Sequence, residues 1–279
     1  MKILKRFFGS FLKVIALGGY LIFALIPLYW VMVTSFKGPK ELYTFPIAFL
    51  PKSLNFENYE FLFTFANFGI YFRNSLLVSL GASFGALIVS VLSGYGLSRI
   101  SSKKLSNGIL IGMYLTQMIP GFLLMLPLYL MLSKFSMINN LFVLGIIYID
   151  IVIAFGTIMS KGFFDRIPVS LEEAALIDGC GTLEVLYRIV LPVSLPAIMA
   201  IFSFFFVNIW NELFLAVMFL SSNDKMTVPA ALNSFISKAG ISWGVMSAGL
   251  VVALLPTIAV FAFAQKYIIA GLTEGAVKE

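Results

Sequence analysis

The distribution of charged residues limits what this chain can fold into more than any other feature of its sequence. Charges make up 11% of the 279 residues, whereas an average soluble domain has about 25%. Four long intervals contain no charge at all: Val14–Phe36, Asn74–Ser98, Leu105–Ser133 and Ala239–Gln265. Because a helix needs about 20 mostly apolar residues to cross a bilayer, we expect each interval to contain a membrane span.

Two further apolar stretches each contain one acidic residue, Asp150 in the first and Glu212 in the second. They bring the predicted number of transmembrane helices to six. The chain is therefore predicted to be an all-α membrane protein with a single transmembrane domain. Its predicted spans are about 14–36, 74–98, 107–132, 139–160, 195–220 and 243–265.

Basic residues predict the orientation, since the cytoplasmic loops of membrane proteins carry more Lys and Arg. With the N-terminus inside, the predicted inner segments hold 12 of the 19 basic residues and the outer segments hold 7. Both termini are therefore predicted to be cytoplasmic. A cleaved signal peptide is the alternative for the first apolar run. That run is longer than the roughly 7–15 apolar residues of such a peptide and lacks a clear small-x-small cleavage site.

The composition excludes several kinds of chemistry. The chain has no His, which removes His-based triads and HExxH zinc sites. Its single Cys, Cys180, can form no disulfide within the chain and is too few for a thiolate metal site. The sequence also lacks the GxxxxGKS/T loop that binds phosphates. We predict no catalytic residue, no metal and no cofactor in this chain, so any ATP hydrolysis is expected on another subunit.

The predicted inner loop over residues 161–192 carries the most informative pattern. Ser170 and Glu173 have the spacing of a capping box, in which each side chain bonds a free backbone N–H. The helix that starts there is predicted to end near Asp178, with Gly179 as a left-handed cap. The loop is therefore expected to begin with a short helix outside the membrane.

A second short helix is predicted from a cap at Thr182 to about Val190, stopping before Pro192. On the first helix, one face is predicted to carry Leu171, Ala174, Ala175 and Asp178. The small alanines make this face narrow, and neighbouring glutamates provide charge at its rim. Such a helix suits docking into a groove of a partner protein. The alternative is a helix lying on the bilayer surface, which usually carries Lys or Arg and bulky apolar residues.

The sequence of this loop resembles that of a known family of membrane proteins. Glu173-Ala174-Ala175, three residues, Gly179, nine residues and Ile189-x-Leu191-Pro192 are similar to the EAA loop of ABC importer permeases. The resemblance implies the type I permease fold and a coupling helix that docks on a cytoplasmic ATPase subunit. Cys180 stands where a small residue such as Ala is usual. The predicted docking residues are Leu171, Glu172, Glu173, Ala174, Ala175, Asp178 and Gly179.

Other segments resemble the carbohydrate permeases of the maltose-transport type. These segments are Ser53–Tyr59, Tyr71–Leu76, Trp210-Asn211-Glu212 and Gly271–Lys278, the last being similar to the tail of the second permease in such systems. The resemblance implies a heterodimer with a second permease subunit, a pair of ATPase subunits that bind ATP and Mg, and an extracytoplasmic sugar-binding protein. It places the chain in the cell membrane of a prokaryote.

Polar residues inside the predicted spans are candidates for a translocation pathway. Asn208, Asn211 and Glu212 fall within one helical turn, with aromatic residues nearby, and Gln117 lies in the third span. Planar polar groups beside aromatic rings suit sugar binding. The alternative is that these side chains bond neighbouring helices. Asp150 is expected to face the interior or to lie near the membrane surface, since a charge facing lipid is costly.

The sequence therefore predicts a permease subunit of an ATP-driven sugar importer. Two alternatives remain within transport: a secondary transporter driven by an ion gradient, and an ABC importer for a solute other than a sugar. A secondary transporter commonly has inverted repeats with broken helices, and no repeat is visible in the sequence. A membrane-embedded enzyme is the third alternative, weakened by the missing His and by the lack of clustered aspartates.

Overall fold

A computed structural model describes residues 2–237 and 240–276, most of them in helices. The helices are α1 (Lys2–Ser35), α2 (Pro39–Leu42), α3 (Glu57–Thr64), α4 (Phe68–Arg99), α5 (Lys103–Met118), α6 (Gly121–Lys134), α7 (Leu141–Phe164), α8 (Val169–Ile177), α9 (Thr182–Val185), α10 (Leu191–Val193), α11 (Leu195–Trp210), α12 (Phe214–Phe219), α13 (Val228–Ser234) and α14 (Trp243–Ala276). Lys238 and Lys278, which contribute to the predicted orientation, lie outside the described residues, as does the end of the maltose-type tail.

Three short elements complete the described structure. A π-helical stretch, Leu186–Val190, joins α9 to α10, and a 3₁₀ turn, Asn223–Lys225, follows α12. Strand β1 (Ile236–Ser237) pairs antiparallel with β2 (Gly240–Ile241). Apart from these two short strands, the described fold is helical, in agreement with the predicted class.

Four helical segments are long and apolar enough to cross a membrane on their own. They are Ser10–Ser35 within α1, the whole of α4 and α7, and Trp243–Tyr267 within α14. Two bent pairs of helices raise the number to as many as six if each pair is one span. The four straight segments overlap the predicted spans 1, 2, 4 and 6. The total of six and the cytoplasmic termini stay predictions.

The third predicted span, 107–132, is not one continuous helix. It is divided between α5 and α6, whose axes differ in direction by 88°. The break lies at Ile119 and Pro120, where Ile119 has an extended backbone with ψ 119°. A proline disfavours the helical conformation in the residue before it and has no N–H to continue the hydrogen-bond ladder, so the helix ends there.

The fifth predicted span, 195–220, is also interrupted. Helix α11 ends at Trp210, and α12 begins at Phe214. The carboxylate of Glu212 lies between them and accepts the backbone N–H of Leu215 at 3.0 Å. Because this carboxylate satisfies the free N–H groups of a new helix, it favours a fresh start over a continuation. A bend of 80° also separates Thr182–Val193 from α11.

The chain forms two compact units, the first made of the described parts of Met1–Gly69 and Leu232–Leu254. In this unit the buried amide of Asn58 donates hydrogen bonds of 2.9 Å to the carbonyl oxygens of Ser35 and Lys37. A helix has no internal partner for the carbonyls of its last turn. Asn58 therefore attaches α3 to the end of α1.

The second unit is made of the described parts of Ile70–Ala231 and Leu255–Glu279. Its core is a cluster of buried side chains from α4, α6, α7, α11, α12 and α13. Small residues on α4 and α7 let the helix backbones approach closely, as is common in membrane proteins. The buried members are Val78, Ala82, Ala86, Leu132, Leu144, Tyr148, Val152, Ile201, Phe205, Ile209, Leu215, Ala216, Phe219, Leu220 and Ala230.

Candidate functional site

Helix α8 starts at a proline, not at the predicted capping box. Pro168 is the N-cap residue, and its carbonyl accepts the backbone N–H of Leu171 at 3.2 Å. Among the described residues, no side chain makes a capping bond at this helix start. The prediction that Ser170 and Glu173 cap each other is therefore wrong. Proline has a restricted φ that suits entry into a helix, and this earlier start places Ser170 inside the first turn.

The other end of α8 follows the prediction. Gly179 has a φ of +90°, the left-handed conformation that glycine adopts without strain. Two hydrogen bonds close the turn: the N–H of Gly179 donates to the carbonyl of Leu176 at 3.1 Å, and that of Cys180 donates to the carbonyl of Ala175 at 3.0 Å. This pair of bonds is the Schellman motif. The predicted left-handed cap is confirmed.

The second short helix differs from the prediction at both ends. Gly181 is its N-cap residue, so Thr182 is the first helical residue and not the cap. The helix continues past Pro192, through the π-helical stretch into α10. In this stretch the N–H of Leu191 donates to the carbonyl of Leu186, five residues back. Pro192 is the second residue of α10, directly after the π-helical stretch.

The predicted docking residues lie on two sides of α8. Glu172 and Ala175 are buried, each with 6% of its surface exposed, whereas Leu171, Ala174 and Asp178 are exposed. Of the predicted docking residues, Glu172 and Ala175 therefore face this chain's own helices. Leu171, Glu173, Ala174, Asp178 and Gly179 face outward.

The carboxylate of Glu172 binds two side chains of α4. Arg99 donates to Oε1 through Nε at 2.8 Å and through Nη2 at 2.5 Å. The hydroxyl of Tyr95 donates to Oε2 at 2.7 Å. Charge-assisted bonds of this kind are about twice as strong as neutral ones. Both oxygens of the one buried glutamate on α8 are therefore held by α4.

A second polar group lies beside this pair, where α7 ends. Asp165 accepts hydrogen bonds from Ser98 at 2.6 Å and from Lys161 at 2.7 Å. Partial burial acts to raise the pKa of the Asp165 carboxyl, but these two bonds and the positive charges of Lys161 and Arg99 outweigh it and hold that pKa below its usual value. Asp165 is thus ionised at neutral pH and links the start of the loop to α4.

Close packing supports these polar contacts. A Cβ added to Gly94 would lie 2.5 Å from the Cβ of Ser160 and 2.8 Å from the backbone nitrogen of Lys161, so α4 and α7 touch through their backbones. An apolar cluster fills the space behind α8. Its buried members are Val91, Phe164, Ile167, Ala175, Val185, Leu186 and Val190.

The outward side of the loop carries several exposed apolar side chains. The side chain of Ile177 is 86% exposed and that of Leu183 is 74% exposed, with Leu171 and Leu176 also exposed. Exposed apolar groups in one short segment indicate a protein or membrane contact. The sequence predicted the location of this surface. It did not predict Ile177 as its most exposed member, since the face chosen from helical spacing left that residue out.

The partners of Glu172 were also missed from the sequence. From the sequence, Tyr95 was predicted only to lie in a membrane span, and Arg99 only to be one of the basic residues that set the orientation. They lie more than 70 positions before Glu172, at separations of 77 and 73 residues. No local spacing connects groups so far apart. One signal was present: Tyr95 and Arg99 are four residues apart, which places both on one side of a helix.

The predicted pathway residue Glu212 makes contacts within the chain. The hydroxyl of Tyr148, on α7, donates to its Oε2 at 2.9 Å. Its carboxylate also accepts the backbone N–H groups of Leu215 and Ala216. Bonding to a neighbouring helix, the alternative considered for this cluster, therefore applies to Glu212.

The other predicted pathway residues are exposed. The amides of Asn208 and Asn211 donate to the carbonyls of Phe204 and Val207, four residues back on α11. Both asparagines are exposed on one side of that helix. Gln117 is exposed near the end of α5, next to the bend in the third predicted span.

The residues that the structure describes contain no group of three or more His, Cys, Asp or Glu arranged to hold a metal ion. Asp150, the acid inside α7, is exposed on that helix. A charge in an apolar helix is costly against lipid. Asp150 therefore does not pack into the interior of this chain's own helices.

Comparison with known sequences identifies the family. Residues 86–274 match the family described as the binding-protein-dependent transport system inner membrane component. The inner membrane ABC transporter permease protein YcjP of Escherichia coli is 34% identical over 261 residues, which cover 93% of each chain. The diacetylchitobiose uptake system permease protein DasC of Streptomyces coelicolor is 30% identical over 90% of this chain and 91% of its own.

A solved structure shares the fold. A chain of a bacterial ABC transporter involved in the import of the acidic polysaccharide alginate superimposes with a TM-score of 0.78. The match covers 94% of this chain and 96% of the other, at 24% sequence identity. With helices that can span a membrane and a family match over more than half of its length, this chain belongs to the binding-protein-dependent transport system inner membrane components, the permeases of ABC transporters.

Proposed function

We propose that this chain is a permease subunit of an ATP-driven importer that translocates a sugar or an oligosaccharide. Family membership over residues 86–274 is the observation that carries the proposal. A saccharide cargo is supported by the similarity to a diacetylchitobiose uptake permease over 90% of the chain. The maltose-type segments, including Trp210-Asn211-Glu212, agree with it.

Helix α8 is the segment that we assign to docking on an ATPase subunit. Its outward residues Leu171, Glu173, Ala174 and Asp178 are exposed, and the left-handed turn at Gly179 sets the direction of the chain after it. An exposed apolar helix of this kind suits insertion into a groove of a partner protein. ATP and Mg bind to the ATPase subunits in this proposal, and this chain converts their closure into a movement of its membrane helices.

The proposed assembly contains four kinds of subunit. This chain pairs with a second, different permease. A pair of ATPase subunits docks on the cytoplasmic side, and an extracytoplasmic binding protein delivers the sugar. The chain is a multi-pass protein of a prokaryotic cell membrane, with six spans in a single transmembrane domain and both termini in the cytoplasm.

We assign the translocation pathway to Asn208, Asn211, Glu212 and Gln117. Asn208 and Asn211 are the strongest members, because each donates its amide N–H to its own helix and the side chain is exposed. A carboxamide oxygen held in this way can accept a hydrogen bond from a sugar hydroxyl. Glu212 contributes mainly by starting α12 beside them.

The test of docking is sugar uptake by the complete importer in vesicles. The probes are labelled di- and trisaccharides, including diacetylchitobiose, supplied with the binding protein and ATP. We expect Glu173→Lys, and Gly179→Ala, which forces alanine into a conformation that costs about 1–3 kcal/mol, to reduce uptake at least about tenfold, equivalent to about 1.4 kcal/mol. Less ATPase subunit should also co-purify with each variant.

The control is Glu57→Gln, which removes a carboxylate from α3, far along the chain from α8. It should leave uptake and co-purification unchanged. The docking role is refuted if both α8 variants retain the ATPase subunits and normal ATP hydrolysis. Uptake by this chain alone in an ion gradient, without ATP, would instead establish a secondary transporter.

A further inference from the structure

We propose that Tyr95, Arg99 and Glu172 form a clamp that makes α8 move together with α4 as one body. In this proposal the clamp carries movement from the docking surface into the membrane helix. The inference rests on the proposed docking of α8 on an ATPase subunit. It goes further by naming the contact within this chain that transmits the movement.

The first observation is the direction of the bonds. Glu172 lies in the first turn of α8, and its carboxylate accepts three hydrogen bonds from α4, two from Arg99 and one from Tyr95. These donors are one helical turn apart, so they grip the carboxylate from two points along the axis of α4. A pair of fixed points resists both sliding and rotation of α8.

The second observation is that Arg99 binds more than the glutamate. Its Nη2 also donates to the carbonyl oxygens of Phe164 at 3.2 Å and of Ile167 at 3.3 Å. These carbonyls belong to the end of α7 and to the link that leads into α8. One guanidinium therefore joins the ends of three elements, using the planar fork of donors that arginine has and lysine lacks.

The third observation is burial. The side chain of Glu172 is 7% exposed and that of Arg99 is 17% exposed. Removing one partner of such a pair leaves the other charge poorly solvated, which is more damaging than the loss of a surface pair. In this proposal the bonds therefore stay formed while α8 moves and are not exchanged for water.

Apolar packing alone does not provide this directional link. The cluster around Ala175 and Val185 favours contact between α8 and its neighbours, but the hydrophobic effect has no preferred direction. The ion pair between Glu184 and Arg188, later in the loop, joins residues four apart in one helical segment. It cannot link that segment to a membrane helix.

The experiment compares variants of the clamp in the complete importer, with uptake expressed per ATP hydrolysed. Glu172→Gln keeps the size of the side chain and removes its charge. We expect the ATPase subunits to co-purify and to hydrolyse ATP, while the saccharide taken up per ATP falls at least about tenfold. The matched control is Glu184→Gln, which removes the ion pair between Glu184 and Arg188 and should leave the ratio unchanged.

Two more variants test the contact itself. Arg99→Gln should give a loss similar to that of Glu172→Gln, and the double variant should be no worse than the more severe single one, because both changes remove the same interaction. Tyr95→Phe removes one hydroxyl and keeps the ring against Phe164. It should lower the ratio by about threefold, a change of about 0.65 kcal/mol, which is near the lower limit of what one hydrogen bond contributes.

Each outcome separates the clamp from the docking proposal. An unchanged uptake per ATP in Glu172→Gln overturns the clamp while leaving docking intact. Loss of ATPase co-purification in Glu172→Gln, together with an unchanged Tyr95→Phe, assigns the pair to stability and also overturns the clamp. The docking proposal is tested separately, by the variants Glu173→Lys and Gly179→Ala.

Discussion

At the scale of single residues, the position of Gly156 on α7 allows the helices of the second unit to meet. A Cβ at this position would lie 2.1 Å from Cζ of Phe205 and 2.5 Å from Oγ of Ser90. Both distances are far inside van der Waals contact, and both neighbours are buried. The residue is small because two other helices cross α7 at this point.

Replacing Gly156 by alanine should therefore destabilise the protein. Overpacking of a filled core typically costs about 1–3 kcal/mol, and we expect Gly156→Ala to lower the apparent melting temperature of the purified chain in detergent. The matched control is Gly145→Ala on the same helix, where an added Cβ meets no atom within 4 Å. Equal melting of the two variants would contradict the packing described for α7.

At the scale of elements, helix starts show how neighbouring residues decide a boundary. Asn140 caps α7, accepting the N–H of Phe142 at 2.9 Å. Ser170 belongs to an equally familiar capping pattern, yet α8 begins before it, at Pro168. Asn140 therefore caps its helix, whereas Ser170 has a capping pattern in the sequence and does not cap the helix in the structure.

This difference predicts that alanine substitutions at Asn140 and Ser170 change the stability of the chain by different amounts. Asn140→Ala should destabilise the chain by about 0.5–2 kcal/mol, the usual cost of removing a capping side chain. Ser170→Ala should change stability by less than about 0.5 kcal/mol, as for a surface residue without a structural bond. Thermal unfolding of the isolated chain in detergent measures both. A larger loss of stability in Ser170→Ala would indicate that Ser170 does cap α8.

At the scale of the whole molecule, the predicted orientation follows from the distribution of basic residues and can be tested with the single cysteine, Cys180. A membrane-impermeant maleimide should label Cys180 in inside-out vesicles and not in intact spheroplasts, because the loop after α7 is predicted to be cytoplasmic. The chain is expressed without its partners, so that no docked subunit covers the loop.

The reciprocal probe is Phe45→Cys in a Cys180→Ser background. Phe45 is 92% exposed and lies between the first two predicted spans, so a cysteine there should be labelled in intact spheroplasts. Labelling of Cys180 from outside the cell would reverse the orientation and remove α8 from the cytoplasmic side.

Much of the fold could be predicted because the lipid bilayer restricts the structures that an apolar chain can form within it. Three of the four intervals without charge overlap the straight helical segments of α1, α4 and α14, since a long apolar segment in a bilayer must satisfy its own backbone hydrogen bonds. The left-handed turn at Gly179 was equally local, because only the conformation of one residue is involved. The 88° bend between α5 and α6 and the interruption between α11 and α12 were not part of the predicted continuous spans. They depend on whether neighbouring groups satisfy the free backbone, which a hydropathy profile does not contain.

The candidate site also combines features that could be predicted from the sequence with features that could not. The sequence by itself determined the class of protein, the place of the predicted docking loop and the cap of its helix, because composition and spacing along one helix are local properties. Only the tertiary structure decided that Glu172 faces Arg99 and Tyr95 and that Ile177 faces outward. The rotation of α8 about its axis is set by contacts with α4, more than 70 residues away in the chain, and no spacing within the loop encodes it.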